Sequence, residues 1–279
     1  MSVKPGLYVV ATPIGNLGDL SPRAQSILRE AAVVAAEDTR MSGTILRLAG
    51  SEARLVSLTE HNVEQRTPEL LAAARDAAVA LVSDAGTPVV ADPGGRLVDA
   101  AHAAAISVFA IPGPSALAAA VSVSGFPGDD VYFLGFLPRP RGERLARLTS
   151  AALAAGVLVF FESPNRLSAT LVELTTALGD PPVAVCRELT KLHEEVVRGT
   201  ASELAARFVA TRGECTVVVD TRGCGAKDAE VEAVAAYMAE MQRAGARRSL
   251  AAAEAARRFG VRREQAYGLW DESSDAART

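Results

Sequence analysis

The chain has 279 residues, of which 49% are hydrophobic, and its formal net charge is −4. This length fits one large or two medium domains, and the apolar residues suffice to fill their cores. No segment approaches the roughly 18 apolar residues of a membrane span, and the first strand starts without a secretory hydrophobic region before it. The composition therefore predicts a cytoplasmic protein without a membrane anchor and without a global positive field that attracts nucleic acid.

The first part of the chain alternates strand-like apolar runs with helical patterns. Strands are predicted at 7–11, 33–36, 54–58, 80–83 and 108–111. Ser21-Pro22 and Thr67-Pro68 each place a capping side chain before a proline, which predicts helices at 22–32 and 68–78. A further helix is expected at 115–123. This alternation predicts an α/β domain over residues 1–122 with a mainly parallel sheet.

The pattern becomes less regular after a Gly/Pro-rich break at 125–130. Strands are predicted at 131–135, 157–161, 183–187, 195–199 and 215–220, and helices at 141–155, 164–178 and 201–210. Helices do not separate all these strands, so the second α/β domain, residues 123–222, is expected to hold a mixed sheet. Residues 223–279 read as helices only and predict a helix-turn-helix-like appendage. The alternative is a helical hairpin that packs against a domain or a second copy.

Four predicted strands of the first domain lead into turns with polar residues beside glycine and proline, at 12–19, 37–40, 83–88 and 112–116. The carboxyl ends of parallel strands meet at one edge of a sheet, where open α/β folds bind ligands. Glycine and proline alone would only mark turns. A structural turn has no need of Glu37, Asp38, Arg40 and Asp84 at one edge, so we expect a small-molecule site there.

Several common cofactor and catalytic motifs are absent from the sequence. There is no Gly-x-Gly-x-x-Gly after the first strand, no phosphate-binding P-loop and no Gly-x-Ser-x-Gly. The three histidines lack metal-ligand spacing, and the three cysteines lack a Cys-x-x-Cys pair. Two of these cysteines lie in or beside apolar strands, so we expect buried thiols rather than disulfides. No metal site is predicted.

Arginine is concentrated in two places in a chain with 26 Arg and 3 Lys. Residues 243–263 carry seven arginines against the single acid Glu254. A second cluster, at 139–147, has four arginines against Glu143. Either cluster is suited to phosphate groups, and the alternative is an ordinary solvated helix face.

Six motifs occur in order over residues 6–220: Thr-Pro-Ile-Gly-Asn-Leu-Gly-Asp at 12–19, Glu-Asp-Thr-Arg at 37–40, Ser-Asp-Ala-Gly-Thr-Pro at 83–88, Pro-Gly-Pro-Ser-Ala at 112–116, Glu-Ser-Pro-Asn-Arg at 162–166 and Arg-Glu-Leu-Thr-Lys at 187–191. With them the chain resembles the tetrapyrrole-methylase (class III methyltransferase) superfamily. Within it, the chain is similar to the enzymes that methylate a cytidine 2′-hydroxyl of 16S ribosomal RNA. The helical appendage resembles that subfamily too.

The resemblance implies two α/β domains with S-adenosylmethionine in the cleft between them. It also implies a homodimer whose partner is 16S rRNA, within the small ribosomal subunit. The expected cofactor contacts are Pro13, Gly15, Asp84, Thr87, Ser115, Ala116, Phe161, Glu162, Cys215 and Thr216. The candidates for the base or cation that assists the ribose hydroxyl are Glu37, Asp38, Arg40, His61, Glu162 and Lys191. The expected RNA contacts are Arg139, Arg141, Arg144, Arg247, Arg248, Arg257, Arg258, Arg262 and Arg263.

Alternatives stay open at this point. The scaffold also fits a methyltransferase for a tetrapyrrole or corrin precursor, although the arginine-rich appendage argues against it. A non-enzymatic RNA-binding factor of ribosome assembly with an idle cofactor cleft is the other alternative. Arg40 and Arg166 could form ion pairs with neighbouring carboxylates, and His61 could cap a helix or lie on the surface. The sequence does not assign the general base.

Overall fold

The computed structural model describes residues 3–223, 228–261 and 263–270, with the side chains of 228–232 left aside. The chain forms two compact units. Unit 1 contains the residues up to Val123 together with Arg187–Glu195, and unit 2 contains Ser124–Cys186 and the residues from Val196 onward. The predicted appendage therefore groups with the second unit, and the prediction of three domains stays a prediction.

Unit 1 alternates strands and helices as the sequence predicts. Its elements are β1 Gly6–Val10, α1 Pro22–Glu30, β2 Val33–Ala36, α2 Thr39–Ala49, β3 Arg54–Ser57, α3 Val63–Asp76, β4 Ala78–Val82, α4 Gly95–Ala103, β5 Val108–Ile111 and α5 Ala116–Ser124. A 3-10 turn at Leu17–Asp19 follows β1. The strands lie in the order β3-β2-β4-β1-β5, and the pairs given by the register are parallel.

Helices cover both faces of this sheet. Side chains of α1 and α2, including Leu28 and Leu46, pack with Val34 and Ala80 on one face. Side chains of α3 and α4, including Leu97, pack on the other. The neighbouring strands β1 and β4 thus send their connections to opposite faces, because α1 follows β1 and α4 follows β4. Such a switch opens a crevice at the carboxyl ends of the two strands.

The start of α3 differs from the prediction. The helix begins at Val63 rather than at Pro68, which lies inside it. Asn62 precedes the first turn, and its Oδ1 accepts a hydrogen bond of 2.8 Å from the Thr59 amide. Buried Val63 joins the core beside α4, and this packing extends the helix by five residues before the proline. The prediction was wrong because proline at an early helical position resembles proline at the first one.

Unit 2 contains a second sheet and a helical C-terminal part. Its elements are β6 Val131–Phe136, α6 Arg141–Ala154, β7 Val157–Glu162, α7 Pro164–Leu178, β8 Pro182–Arg187, β9 Glu195–Thr200, α8 Ala201–Arg207, β10 Cys215–Asp220, α9 Asp228–Arg243, α10 Arg248–Phe259 and α11 Arg263–Gly268. The strand order is β6-β7-β10-β8-β9. Since β6 and β7 run parallel while β7 and β10 run antiparallel, the sheet is mixed, as predicted.

One core lies between this sheet and α6, α7 and α8. It contains Leu134, Leu158 and Phe160 from the strands and Leu148 and Leu171 from the helices. The ends of α7 follow the sequence signals, because Pro164 occupies its first turn and Gly179 ends it in the left-handed conformation. At α8, Thr200 and Glu203 form a capping box.

The C-terminal helices have their own small core. Val234 and Met238 of α9 pack with Ala252 of α10, Ala266 of α11 and Trp270. Gly260 ends α10 with φ of +68° and begins the turn toward α11. Within the described ranges, no helix is long and apolar enough to cross a membrane.

Candidate active site

A short antiparallel bridge joins the loops after β1 and β4. The Thr12 amide donates to the Gly86 carbonyl at 2.8 Å, and the Gly86 amide donates to the Thr12 carbonyl at 3.0 Å. The buried Thr12 hydroxyl also donates to the Ser83 carbonyl at 3.1 Å. Gly86 has φ of +83°, a conformation that glycine adopts at low cost. The bridge fixes the two loops that flank the crevice.

A second contact adds the loop after β5 to this edge. The Thr87 hydroxyl donates to the Pro114 carbonyl at 3.1 Å, so a ligand would meet the oxygen lone pairs of Thr87. Ser115 precedes α5, and its carbonyl accepts from the Ala119 amide at 2.9 Å. The first amides of a helix have no partner within the helix and can bind a carboxylate. Ser115 and Ala116, two of the predicted cofactor residues, therefore lie at the start of α5 beside the loop that holds Thr87.

Asp84 and Asp38 connect the ends of β4 and β2. The Oδ1 atom of half-buried Asp84 accepts a hydrogen bond of 2.9 Å from the Asp38 amide. The Asp38 carboxylate caps α2 by accepting from the Arg40 amide at 2.8 Å, and it pairs with the exposed Arg40 guanidinium. These bonds from Arg40 lower the pKa of Asp38 to about 2. The structure thus shows the ion pair that the sequence left as an alternative for Arg40.

The same edge collects further carboxylates. Desolvation raises the pKa of Glu37, and the negative charges of Asp84, Glu60 and Asp38 raise it further. Burial raises the pKa of Asp92 to about 6, with Glu37 and Asp84 adding to the effect and a hydrogen bond from Ser83 opposing it. We call Glu37, Asp38, Asp84 and Asp92 the acid cluster. It gives this strand edge a negative potential.

Sequence reasoning missed Asp92. The residue lies in the Ala-Asp-Pro-Gly turn before α4, on the same loop as Asp84. This loop has strained backbone, since Val89 and Ala91 have φ of +74° and +69°. Gly94 has φ of +123°, and a Cβ there would lie 2.8 Å from Leu81. The sequence signal that could have identified Asp92 is an acidic residue in a second turn that contains glycine and proline.

The segment Arg187–Glu195 brings Lys191 to the loop after β1. A Cβ on Gly15 would lie 2.9 Å from Lys191 Cε and from Thr190 Oγ1, so the absence of a side chain at Gly15 permits this approach. Lys191 Nζ pairs with Glu188 Oε1 at 3.0 Å. Pro13, two residues before Gly15, is buried. The candidate His61 is exposed in the turn before α3. Lys191 therefore lies near the predicted cofactor residue Gly15.

The remaining predicted cofactor residues lie together in unit 2. Phe161 and Glu162 end β7, where they pair with Thr216 and Cys215 of β10. Glu162 is 3% exposed. Its oxygens accept hydrogen bonds from Thr170 Oγ1 at 2.7 Å and from the Ser163 amide at 2.8 Å.

Arg166 completes the surroundings of Glu162. Its Nε atom lies 3.2 Å from Glu162 Oε1, and this ion pair is the alternative that the sequence left open for Arg166. Both carboxylate oxygens of Glu162 are thus engaged in the structure, so the geometry favours a positioning role over that of a base.

The arginine clusters divide into exposed and internally bonded side chains. Arg139 and Arg141 are exposed before and at the start of α6, whereas Arg144 is 8% exposed. The Arg144 guanidinium donates to both oxygens of Glu173, at 2.6 and 2.7 Å. The expectation that Arg144 reaches RNA therefore does not match its burial, because helix α6 turns this side chain toward α7.

Several arginines of the appendage have partners within it. Arg248 donates to the Tyr267 carbonyl and stacks 4.0 Å from its ring, and Arg257 pairs with Glu254. Arg263 donates to the Ser249 carbonyl at 3.4 Å. Arg247 and Arg258 are exposed, the latter over the rings of Tyr237 and Phe259. Arg262 lies outside the described residues.

Sulfur and metal-binding groups give a simple result. Cys186 and Cys215 are buried and free of disulfides, as predicted, while Cys224 is outside the described residues. In the described part of the chain, no group of three or more His, Cys, Asp and Glu side chains could hold a metal ion.

Comparison with known proteins gives a consistent result. Residues 6–205 match the family model of Tetrapyrrole (Corrin/Porphyrin) Methylases. The chain is 47% identical over 217 residues to Ribosomal RNA small subunit methyltransferase I of Micromonospora olivasterospora, covering 76% of this chain and 69% of the relative. It is 42% identical to the protein of that name from Mesorhizobium japonicum, covering 95% of this chain and 91% of the relative.

Solved structures of low sequence identity show the same fold. The uroporphyrin-III C-methyltransferase of Thermus thermophilus, solved with S-adenosyl homocysteine, matches with a TM-score of 0.57 and 22% identity. The match covers 77% of this chain and 97% of that one. The chain therefore belongs to the tetrapyrrole methylase family and, within it, to the family of Ribosomal RNA small subunit methyltransferase I.

Proposed function

We propose that the protein transfers a methyl group from S-adenosylmethionine to the 2′-hydroxyl of a cytidine in 16S rRNA. The observation that carries this proposal is the crevice edge at the ends of β1, β2 and β4, where Asp84 is fixed beside Thr87 and the start of α5. The family of the chain supports it, since relatives named for small-subunit ribosomal RNA are 42–47% identical over most of its length. The structural neighbour named for a porphyrin is 22% identical.

The charged and hydrogen-bonding groups at this edge are complementary to those of the proposed cofactor. S-adenosylmethionine carries positive charge on its sulfonium and ammonium groups, and negative charge on its carboxylate. The acid cluster supplies carboxylates for the positive groups, and Asp84 Oδ2 is available after Oδ1 has accepted the Asp38 amide. The amides that begin α5 suit the carboxylate. This complementarity supports Asp84, Thr87, Ser115 and Ala116 as cofactor residues.

When bound, S-adenosylmethionine supplies a methyl group that is already activated by a neutral thioether leaving group. The ribose 2′-oxygen forms the new C–O bond while the C–S bond breaks toward sulfur, and the hydroxyl proton passes to a base. Positioning the oxygen near 3 Å from the methyl carbon provides much of the acceleration. The protein therefore needs to align its two substrates and to accept one proton.

The pKa values of the carboxylates in the acid cluster distinguish the candidates for the general base. Asp38 is a weak base because Arg40 holds its pKa at about 2. Glu37 and Asp92 have raised pKa values, and a base is more effective when its pKa approaches the working pH. We therefore place Glu37, and the newly identified Asp92, ahead of the other candidates. Lys191 would act as a cation rather than as a base, since it is paired with Glu188.

Two further expectations follow from the resemblance. We propose that the protein acts as a homodimer in the cytoplasm and recognises its rRNA within the small ribosomal subunit. Sedimentation of the purified full-length chain tests the dimer, and comparison of free 16S rRNA with assembled subunits tests the substrate.

The decisive experiment measures transfer of labelled methyl groups to undermethylated small subunits and maps the modified nucleotide. We expect one modified cytidine, and the phosphodiester bond on its 3′ side should resist alkaline hydrolysis because the 2′-oxygen that would attack it is methylated. The Asp84→Ala variant serves as the matched control and should lose activity. Binding of S-adenosylmethionine without transfer to any subunit preparation would favour the non-enzymatic assembly factor. Transfer to a porphyrin precursor instead would favour the other alternative.

A further inference from the structure

Phe136, at the end of β6, exposes 64% of its surface although it is a large aromatic residue. It was not among the residues that the sequence singled out. Neighbouring Leu134 and Leu137 are 2% and 3% exposed. An aromatic ring held at the surface between two buried leucines needs a specific backbone arrangement.

That arrangement is a bulge in β6. Phe133 pairs with Val159 of β7, whereas Phe136 pairs with Phe161. Between these two pairs the chain moves three residues along β6 but only two along β7. Gly135 has φ of +62° and accommodates the extra residue. Side chains alternate between faces in a regular strand, and the bulge places Phe136 on the face of Phe133 and Phe161. Without the bulge, Phe136 would point toward the helix-covered core that contains Leu134.

Two other aromatic side chains support the ring. Phe161 meets Phe136 edge to face with ring centroids 5.5 Å apart, and Phe133 meets Phe161 in the same way at 5.0 Å. Contacts of this geometry are favourable and orient the rings. Phe136 therefore has a defined position although most of its surface faces outward.

The loop that follows Phe136 is held by the guanidinium groups of buried Arg144 and half-buried Arg166. Arg144 Nη1 donates to the carbonyls of Pro138 and Arg139 at 3.0 and 2.7 Å. Arg166 Nη2 donates to the carbonyls of Leu137 and Pro138, both at 3.2 Å. Each guanidinium is itself fixed by a buried carboxylate, Glu173 or Glu162. Three consecutive carbonyls are thus bound, which gives the loop a defined shape.

This fixed loop and the start of α6 carry two exposed arginines within five residues of Phe136 in the chain. Arg139 is exposed, and the Arg141 side chain is 66% exposed with its Nε atom 3.6 Å from Glu173. An aromatic platform next to arginines is the chemistry by which proteins bind single-stranded RNA, since the ring stacks on a base and the guanidinium groups contact phosphates. A protein partner of acidic character would match the arginines but would leave the ring without a base to stack on.

We propose that Phe136 stacks on an unpaired base of the RNA substrate while Arg139 and Arg141 contact the flanking phosphates. This inference rests on the proposed function, because the substrate class is rRNA. It adds a specific requirement, namely that the recognised RNA segment is single-stranded. A base inside a duplex is stacked on both sides and offers no free face to the ring.

The test compares Phe136→Ala with Phe136→Trp, using the full-length protein. Tyr132→Ala is the matched control, since Tyr132 is a 47% exposed aromatic on the same strand and pairs with core residue Leu158. We expect Phe136→Ala to weaken binding of a short single-stranded pyrimidine RNA, measured by fluorescence anisotropy, by about tenfold. It should raise KM for undermethylated subunits similarly, leave kcat and the Kd for S-adenosylmethionine unchanged, and be rescued by tryptophan. Circular dichroism checks that each variant is folded.

Three results would overturn the inference. One is unchanged RNA affinity in Phe136→Ala. Another is a matching loss of cofactor affinity, which would assign the ring to the cofactor site. A third is that the wild-type protein sediments as a dimer and Phe136→Ala as a monomer, which would assign Phe136 to self-association. If the wild-type protein fails to methylate subunits, the proposed function fails separately, and the oligonucleotide measurement still decides the role of Phe136.

Discussion

Asp84 and Asp38 are joined by a hydrogen bond of 2.9 Å between the carboxylate of the first and the backbone amide of the second. The bond connects the ends of β4 and β2, which are neighbours in the sheet. It fixes Asp84 Oδ1 and leaves Oδ2 for a ligand. Under the proposed function the same carboxylate also binds the cofactor, and substitution can separate this role from the structural one.

Replacement of Asp84 by alanine should weaken S-adenosylmethionine binding. Loss of an acceptor for a buried ligand donor costs about 1–3 kcal/mol, which corresponds to about tenfold or more in Kd measured by calorimetry. Asp84→Asn keeps the Oδ1 acceptor for Asp38 but removes the charge, so its Kd should lie between those of the wild type and the alanine variant. Unchanged affinity in a folded Asp84→Ala protein would remove the residue from the cofactor site.

Asp92 should make the protein less stable at neutral pH. Its pKa in the folded state is about 6, above the ordinary 3.8, so folding disfavours its charged form. The penalty is fully present above pH 6, shrinks as pH falls from 6 to 4, and is absent below both values. Asp92→Asn should therefore raise the free energy of unfolding at pH 7.5 by about 1–2 kcal/mol, less than the full conversion of the pKa shift, because solvent screens a half-buried carboxylate. The gain should disappear near pH 4.

Urea denaturation from pH 4 to pH 8 measures this difference. The variant Asp99→Asn, at an exposed position on the following helix α4, is the control. A destabilised Asp92→Asn protein at pH 7.5 would show that the carboxylate is held by favourable contacts that outweigh its burial.

Arg144→Ala should destabilise the fold strongly. It would remove the two short hydrogen bonds that Arg144 donates to the Glu173 carboxylate, which is 7% exposed, and leave it the exposed Arg141 guanidinium at 3.6 Å. Breaking a buried ion pair in this way costs about 3–5 kcal/mol. The exposed pair of Arg257 and Glu254 provides the control, since Arg257→Ala should change stability much less than Arg144→Ala does. Thermal unfolding compares the two variants, and equal shifts would contradict the prediction.

Arg247 should contribute to RNA affinity through its charge. It is exposed at the start of α10, and a phosphate contact releases counterions when RNA binds. Arg247→Gln should lower the slope of log Kd against log salt by about one, because one phosphate contact is lost. Arg23→Gln, on the exposed part of α1, should leave the slope unchanged. Equal slopes for the wild type and Arg247→Gln would remove Arg247 from the RNA contacts.

Local sequence signals were sufficient for most of the fold. The five strands of unit 1 and the Ser21-Pro22 helix start appear where their apolar runs and caps predict them. The gathering of Asp38 and Asp84 at one edge follows from parallel strand geometry and needs no side-chain detail. The misplaced start of α3 shows the limit of such signals. Val63 is buried in a core that it shares with α4 residues distant in sequence, which the local signals do not reveal.

Residues whose roles depend on tertiary packing could not be predicted. The burial of Arg144 depends on the position of Glu173 on another helix, 29 residues away. Phe136 is exposed because of one additional residue in β6, which its alternating pattern does not reveal. The raised pKa of Asp92 requires that the loop returns it to Glu37 and Asp84. Each of these features is set by the approach of distant segments.

The assignment of Arg187–Glu195 to unit 1 has a consequence for protein synthesis. The ribosome completes the first 123 residues of that unit well before it adds the nine residues that lie beside Gly15. During this interval the N-terminal sheet can form, but the place of Thr190 and Lys191 stays unfilled. Folding of the N-terminal unit is therefore completed only after the Ser124–Cys186 part of unit 2 has been translated. For the same reason, a gene fragment that ends at residue 123 would encode an incomplete unit.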